Sequence, residues 1–152
     1  MIKLRAVVQR TRHSRVLVND INKAEIQEGL IVLLGIKKGD SYADGEYLMD
    51  KVMNLRIFED KNGKMNSSLT DIKGELLMVS QFTLYGDARK GRRPSFTDAE
   101  APDAALSLFD YCVQYVRDRE IKVETGVFGA EMQVYIQNDG PCTILLDSEK
   151  LF

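Results

Sequence analysis

Three stretches of this 152-residue sequence carry side chains whose type and spacing suit chemistry. The first is Ser80-Gln81-Phe82-Thr83-Leu84, where polar groups interrupt the apolar run that begins at Leu76. Hydroxyls and amides in a buried strand need hydrogen-bond partners, so either they satisfy one another or the sheet opens there into a pocket. The second is Arg89-Lys90-Gly91-Arg92-Arg93-Pro94, with Phe96 close behind. Such a charge run is either a solvated face or a grip on an anionic backbone such as RNA phosphate, with Phe96 available to stack on a base. The third is Asn138-Asp139-Gly140-Pro141-Cys142-Thr143. Only about 5–6% of X-Pro bonds in folded proteins are cis. Glycine before proline removes the Cβ that restrains the preceding residue. Gly140-Pro141 is therefore either a plain turn or a cis unit whose carbonyls form a wall free of side chains.

Other catalytic constellations find little support. Neither the Walker nor the Rossmann glycine spacing occurs, nor a G-x-S-x-G elbow. His13 is the sole histidine, so a Ser-His-Asp triad has only that route, and a lone histidine of this kind reads as a surface residue. Cys142 has no basic neighbour in sequence to activate its thiol and reads as small apolar packing. A cysteine hydrolase built on Cys142 stands as a competing class, one that thiol alkylation would inactivate. Two cysteines support neither a disulfide scaffold nor a zinc site, and we expect no metal and no cofactor. The net charge of −2 excludes binding to nucleic acid by global electrostatics while leaving room for a local basic patch.

These residues must be positioned by a fold. A chain of this length buries roughly 68–70% of its unfolded surface, and the expectation is one domain over residues 1–152. Lys3–Gln9 alternates with period two, and Val16 and Val18 end a second run before the turn-rich Asn19-Asp20-Ile21-Asn22. Leu30–Leu34 reads as a strand buried on both faces. Ser41 opens a helix with Asp44 in capping-box spacing and Leu48, Val52 and Leu55 on its stripe, widened by Met49 and Met53. Arg56–Phe58 is a strand, and Asp60-Lys61-Asn62-Gly63 a hairpin turn. Leu76–Val79 is a strand running on through Leu84. Gly86–Ala101 lacks any period and reads as a working loop. A second helix begins near Pro102, with Leu106, Phe109, Val113 and Val116 as its stripe and Cys112 as core filler. Met132, Val134 and Ile136 alternate, Asn138–Pro141 interrupts, and Thr143–Leu146 resumes a strand. Two helices among about eight strands argue against a doubly wound sheet. The expected fold class is α/β of the α+β type, a curled, barrel-like, mixed or mostly antiparallel β-sheet with two covering helices. No apolar run approaches the ~20 residues that span a bilayer, and no signal peptide is visible, so a reducing, cytoplasmic setting without membrane is expected.

The same residues carry a resemblance. The chain resembles D-aminoacyl-tRNA deacylases, also called D-tyrosyl-tRNA deacylases, over essentially its whole length. The match begins at Arg5-Ala6-Val7-Val8-Gln9-Arg10 and continues through Asn54–Asp60 and Gly63-Lys64-Met65-Asn66. Ser80-Gln81-Phe82-Thr83-Leu84 is one family signature, followed by Arg89–Phe96, Val123-Glu124-Thr125-Gly126 and Phe128-Gly129-Ala130. Asn138-Asp139-Gly140-Pro141-Cys142-Thr143 is the second signature, departing only at Cys142, where the family pattern has valine or phenylalanine. The resemblance implies hydrolysis of the ester joining a D-amino acid to the terminal adenosine of tRNA, and of glycyl-tRNA mischarged on tRNA-Ala. It implies a homodimer with each pocket at the subunit interface, and a cis Gly140-Pro141 motif that enters the partner's pocket and rejects L-amino acids. It places the oxyanion donors on the N–H groups of Phe82 and Thr83, with Ser80 and Gln81 shaping the pocket beside Asn138 and Thr143. Arg89, Lys90, Arg92, Arg93 and Phe96 are candidate tRNA contacts, the alternative being a loop that only braces the strand end. The Thr83 hydroxyl is nucleophile, water-positioner or scaffold, and assistance by the ribose hydroxyl beside the ester is the preferred account. A non-catalytic RNA-binding module using Arg89–Arg93 and Phe96 is the alternative.

Overall fold

A computed structural model describes residues 4–152, so Lys3, where the first alternating run begins, lies outside the described residues. The long strand β1 (Arg5–Val18) is the seam of the molecule. Along one side it pairs antiparallel with β2 (Ile21–Ile26) and then β3 (Gly29–Gly35), and along the other with β8 (Gln133–Asp147). The β1–β2 turn places Asn19 and Asp20 at φ 50° and 62°, the two-residue geometry these side chains tolerate best after glycine. β3 continues the sheet by parallel pairing to β6 (Glu75–Ser80), and β6 pairs parallel to β7 (Val123–Thr125). The sheet is therefore mixed, and it curls until β2 touches β6 and β7.

Curling makes two apolar layers. Leu4, Ala6, Val8, Leu30, Val32, Leu34, Leu76 and Met78 face the helices, while Val16, Ala24, Ile26, Ile31, Leu77 and Val79 fill the inside of the curl. β3 and β6 are buried on both faces, which is why their sequences read as unbroken apolar runs.

The first helix, α1 (Tyr42–Asn54), starts at a reciprocal capping box: Asp44 N–H donates to Ser41 Oγ at 3.3 Å, and Ser41 N–H to Asp44 Oδ2 at 3.0 Å. It buries Leu48, Met49, Val52 and Met53. A short hairpin, β4 (Phe58–Glu59) and β5 (Met65–Ser67), follows, turning at Gly63. The last long helix, α3 (Pro102–Arg117), carries Pro at its first turn and buries Ala105, Leu108, Phe109, Cys112, Val113 and Val116.

Several sequence expectations need correction. A third helix, α2 (Leu69–Ile72), exists, because Ser68 and Asp71 form a second capping box that stabilises a single turn. Leu106 is 38% exposed; the α3 stripe runs through Leu108 and Cys112 instead. The Arg56–Phe58 strand shrinks to Phe58–Glu59. β6 stops at Ser80, and residues Phe82–Tyr85 form a 3₁₀ helix rather than more strand. Conversely, Asn138–Pro141 does not break β8. Register shifts opposite it, between Gln9 and Thr11 and between Thr11 and His13, absorb the irregularity. At that bulge the buried hydroxyls of Thr11 and Ser14 bond to each other at 2.8 Å, and Thr11 donates to His13 O at 2.9 Å, so both buried side chains are paired.

Candidate active site

Strand β6 ends where its last ladder bond is made, from Gln81 N–H to Leu34 O at 2.8 Å. The chain then tightens, with Leu84 N–H donating to Gln81 O at 3.3 Å and Gly86 N–H to Thr83 O at 2.9 Å. Among the described residues the N–H groups of Phe82 and Thr83 have no hydrogen-bond partner, and both residues are exposed. First-turn amides are the ones a short helix cannot satisfy itself. Here two successive amides are left without a partner on exposed residues.

The turn is fixed from beneath. A Cβ on Gly35 would sit 3.0 Å from Leu84 Cβ and 3.2 Å from Gln81 O, so a side chain there would push on the turn, and glycine lets β3 lie this close without displacing it. Arg5 lies over the Tyr85 ring at 5.0 Å, donates to Leu84 O at 3.4 Å and pairs through Nε with Asp147 Oδ2 at 3.0 Å. Asp147 is 2% exposed, so this ion pair ties the end of β8 to the 3₁₀ turn. Burial, helped by the nearby Asp40 carboxylate, pushes the Tyr85 phenol far above its ordinary pKa. That ring is a neutral packing group.

Gln81 Nε2 donates to Thr83 Oγ1 at 3.0 Å. Among the described residues no carboxylate or imidazole hydrogen-bonds that hydroxyl, so the arrangement lacks the base an activated threonine needs. Ser80 closes the strand behind them, half-buried beside Leu34.

The following loop folds back on itself through paired Asp87 and Ser95. Asp87 accepts from Arg89 at its backbone N–H, Nε and Nη2, at 3.0, 2.9 and 2.7 Å. These bonds to Arg89 hold the Asp87 carboxyl well below the usual carboxylate range. Arg89 is thus a brace, which separates it from Lys90, Arg92 and Arg93, exposed and without an ion pair among the described residues. Phe96 returns edge-on to Phe82, ring centroids 5.2 Å apart.

The second signature sits elsewhere. Gly140-Pro141 is a cis peptide with both residues exposed. Asn138 clips it from both ends: its Oδ1 accepts Cys142 N–H at 2.7 Å and its Nδ2 donates to Thr143 Oγ1 at 3.0 Å, which also accepts from Gln9 Nε2 at 3.2 Å. Arg10 braces it from behind, donating from Nε to Asp139 O at 2.8 Å and from Nη1 to Ile57 O at 2.7 Å. Residue-by-residue reading of the sequence did not single out Arg10. The signal was present: Arg10 follows Leu4, Ala6 and Val8 in the inward phase of an alternating strand, where a cation needs a reason. Cys142 is 7% exposed and packs in the helix-side core, and burial pushes the Cys112 thiol up to about 12.

One chain does not bring the two signatures together. Ser80 aligns with Leu34, Ala6 and Leu146 across the sheet, whereas Pro141 lies five residues before Leu146 on β8. That offset alone is about 16 Å along the strand direction. Among the described residues no group of His, Cys, Asp and Glu gathers to hold a metal, and no helix is long and apolar enough to cross a membrane.

Comparison with known proteins gives a consistent result. Residues 7–147 match the family model described as D-Tyr-tRNA(Tyr) deacylase. The chain is 66% identical over 149 residues to a D-aminoacyl-tRNA deacylase of Syntrophomonas wolfei, covering 98% of this chain and 100% of that one. It is 56% identical over 150 residues to the D-aminoacyl-tRNA deacylase of Thermosipho melanesiensis, with the same coverage. Its structure superposes on the c-Myc DNA Unwinding Element Binding Protein with a TM-score of 0.88 at 40% identity, covering 93% of this chain and 97% of that one. A probable eukaryotic D-amino acid tRNA deacylase shares the fold with a TM-score of 0.83 at 20% identity, covering 96% of this chain and all of that one. By the extent and identity of these matches, the chain belongs to the D-Tyr-tRNA(Tyr) deacylase family.

Proposed function

We propose that the protein, as one domain over residues 1–152, is a D-aminoacyl-tRNA deacylase. It hydrolyses the ester between a D-amino acid, or glycine mischarged on tRNA-Ala, and the terminal adenosine of tRNA. The observation that carries this reading is the pair of unpartnered N–H groups at Phe82 and Thr83, on a turn held by Arg5, Gln81 and Gly35. Ester hydrolysis concentrates negative charge on the carbonyl oxygen, and losing one aligned donor to it costs ~2.7–4 kcal/mol. Water adds to the carbonyl carbon, the bond from that carbon to the ribose oxygen breaks, and the ribose oxygen leaves with the proton that the water gives up. The adjacent ribose hydroxyl relays that proton, since no carboxylate or imidazole among the described residues hydrogen-bonds Thr83. No cofactor enters this scheme.

Selectivity belongs to Gly140 and Pro141. A wall of main-chain atoms excludes an L side chain by overlap whatever its identity, whereas a D side chain points elsewhere and glycine has none. Because the wall lies about 16 Å along the strands from the Phe82 turn and faces outward, it serves the pocket of a second copy, and the active species is a homodimer. Asn138 and Thr143 hold the wall in shape; Lys90, Arg92, Arg93 and Phe96 form the tRNA side of the site, on a loop that Arg89 braces through Asp87. The enzyme works where aminoacyl-tRNA is used, in the cytoplasm.

The test is ester loss from D-, L- and glycyl-tRNA, followed with and without chelator and repeated with Cys142→Val. Expected are rapid loss of the D and glycyl esters, persistence of the L ester, and no effect of chelator or of the substitution. Binding of charged tRNA with the ester left intact would instead make the protein an RNA-binding module.

A further inference from the structure

The residues around Phe82 and Phe96 carry more than a generic basic loop. The loop after the 3₁₀ turn runs out to Arg92 and Arg93, returns over Phe82 at Phe96, and then docks on the segment after β3. Lys38 N–H donates there to Asp98 O at 3.0 Å, and Glu100 N–H to Ile36 O at 3.0 Å. This docking brings the backbone of Lys38, exposed and without an ion pair among the described residues, beside Asp98, two residues beyond Phe96, while Lys90, Arg92 and Arg93 precede Phe96 on the same loop. The acids nearby are largely engaged. Asp87 is taken by Arg89, and Glu100 accepts from the N–H groups of Gly39 and Ala101 at 3.3 and 2.8 Å. Asp98 is the exposed carboxylate in the strip.

Cations near exposed aromatic rings suit single-stranded RNA, whose bases are free to stack while its phosphates are gripped alongside. Resting on the functional reading above, we propose that Lys38, Arg92 and Arg93 hold phosphates of the unpaired 3′ end of tRNA, with a base on Phe96, and that Arg89 is a brace making no such contact. Lys38 is a residue that the sequence motifs alone do not mark.

The probe is an uncharged RNA hairpin ending in a four-nucleotide 3′ overhang, compared with the same hairpin cut blunt, in salt titrations of affinity. Lys38→Ala, Arg92→Ala and Arg93→Ala should each reduce the slope of log affinity against log salt by about 0.7 for the overhang. Phe96→Leu should weaken overhang binding at least about fivefold with the slope unchanged. Lys122→Ala, at the opposite end of the sheet beside Glu75, should alter neither. An unchanged slope in Lys38→Ala, or equal losses on the blunt hairpin, would overturn the proposal. Because this probe carries no ester, its outcome is separate from that of the hydrolysis assay.

Discussion

Replacing Gly140 with alanine tests whether the exposed main-chain wall is held in one shape. Gly140 has φ 139°, in a region that L residues occupy at a cost of about 1–3 kcal/mol. An added Cβ would lie 2.9 Å from Arg10 Nη2 and 3.0 Å from Cys142 N. The arginine cannot simply swing away, because its Nε and Nη1 are tied to Asp139 O and Ile57 O at 2.8 and 2.7 Å. Relief therefore takes backbone rotation at residue 140 or the loss of a charge-assisted bond of about 1.5–3 kcal/mol. Whichever route is followed, the expected destabilisation is about 2–4 kcal/mol, a fall in Tm of roughly 5–15 °C for a chain of this size. Thermal and urea unfolding would measure it. The functional readout is the ratio of D- to L-ester hydrolysis at a temperature where the variant is fully folded. That ratio should collapse, because the wall moves while the Phe82 and Thr83 amides stay in place. A variant within about 0.5 kcal/mol of the parent, with an unaltered D/L ratio, would show that this backbone neither resists a side chain nor judges handedness.

Arg10→Lys replaces a two-armed fork with a single ammonium that cannot serve both Asp139 O and Ile57 O; kcat on D-esters should fall at least about tenfold while tRNA affinity holds, and Arg10→Ala should be worse. Thr83→Ala removes a hydroxyl that lacks a base, so ester loss should remain within about tenfold of the parent; a loss of 10³ or more would restore the threonine nucleophile. The Asp87 carboxyl is depressed in the folded protein, so its pairing with Arg89 contributes fully above the ordinary carboxylate pKa and is lost only as pH falls through the depressed value. A carboxyl titration by NMR should therefore leave Asp87 ionised through pH 4, and a midpoint near 3.9 would show the loop brace to be absent in solution.

Much of the architecture was legible because it follows from short-range rules. The Ser41 and Asp44 box, Pro102 at a helix start, the Asn62-Gly63 turn and the unbroken apolar runs of β3 and β6 each mark their own element. What escaped depended on partners distant in sequence. Ser80–Leu84 has strand-like residues throughout, yet β3 reaches Gly35 there and Arg5 pulls on Leu84 O, so the chain turns into a 3₁₀ helix. Asn138–Pro141 has every local sign of a break, yet a compensating bulge in β1, a hundred and more residues away, keeps β8 continuous. Within the site, the signature residues were visible by type. Arg10 showed only as a cation in the inward phase of β1 and Lys38 not at all, because their importance lies in what they meet across the fold.

This pattern has a physical basis. The groups proposed to act on substrate here are main-chain groups, the amides of Phe82 and Thr83 and the unit at Gly140-Pro141, and every residue supplies a backbone. What distinguishes these positions is that their backbone is held and left exposed at the same time. Holding is done from elsewhere: by Arg5 and Asp147 under the turn, by Asn138 across the Gly-Pro unit, and by Arg10 behind it. A site of this kind depends on geometry at four tethers more than on any reactive side chain. Its sensitivity to substitution should therefore follow the number of hydrogen bonds a residue lends to those two backbone segments. On that measure Arg10, which donates to Asp139 O, and Asn138, which accepts from Cys142 N–H, rank above Ser80 and Thr83, whose side chains make no such bond among the described residues, even though the latter lie in the signature proposed to meet the reacting atoms.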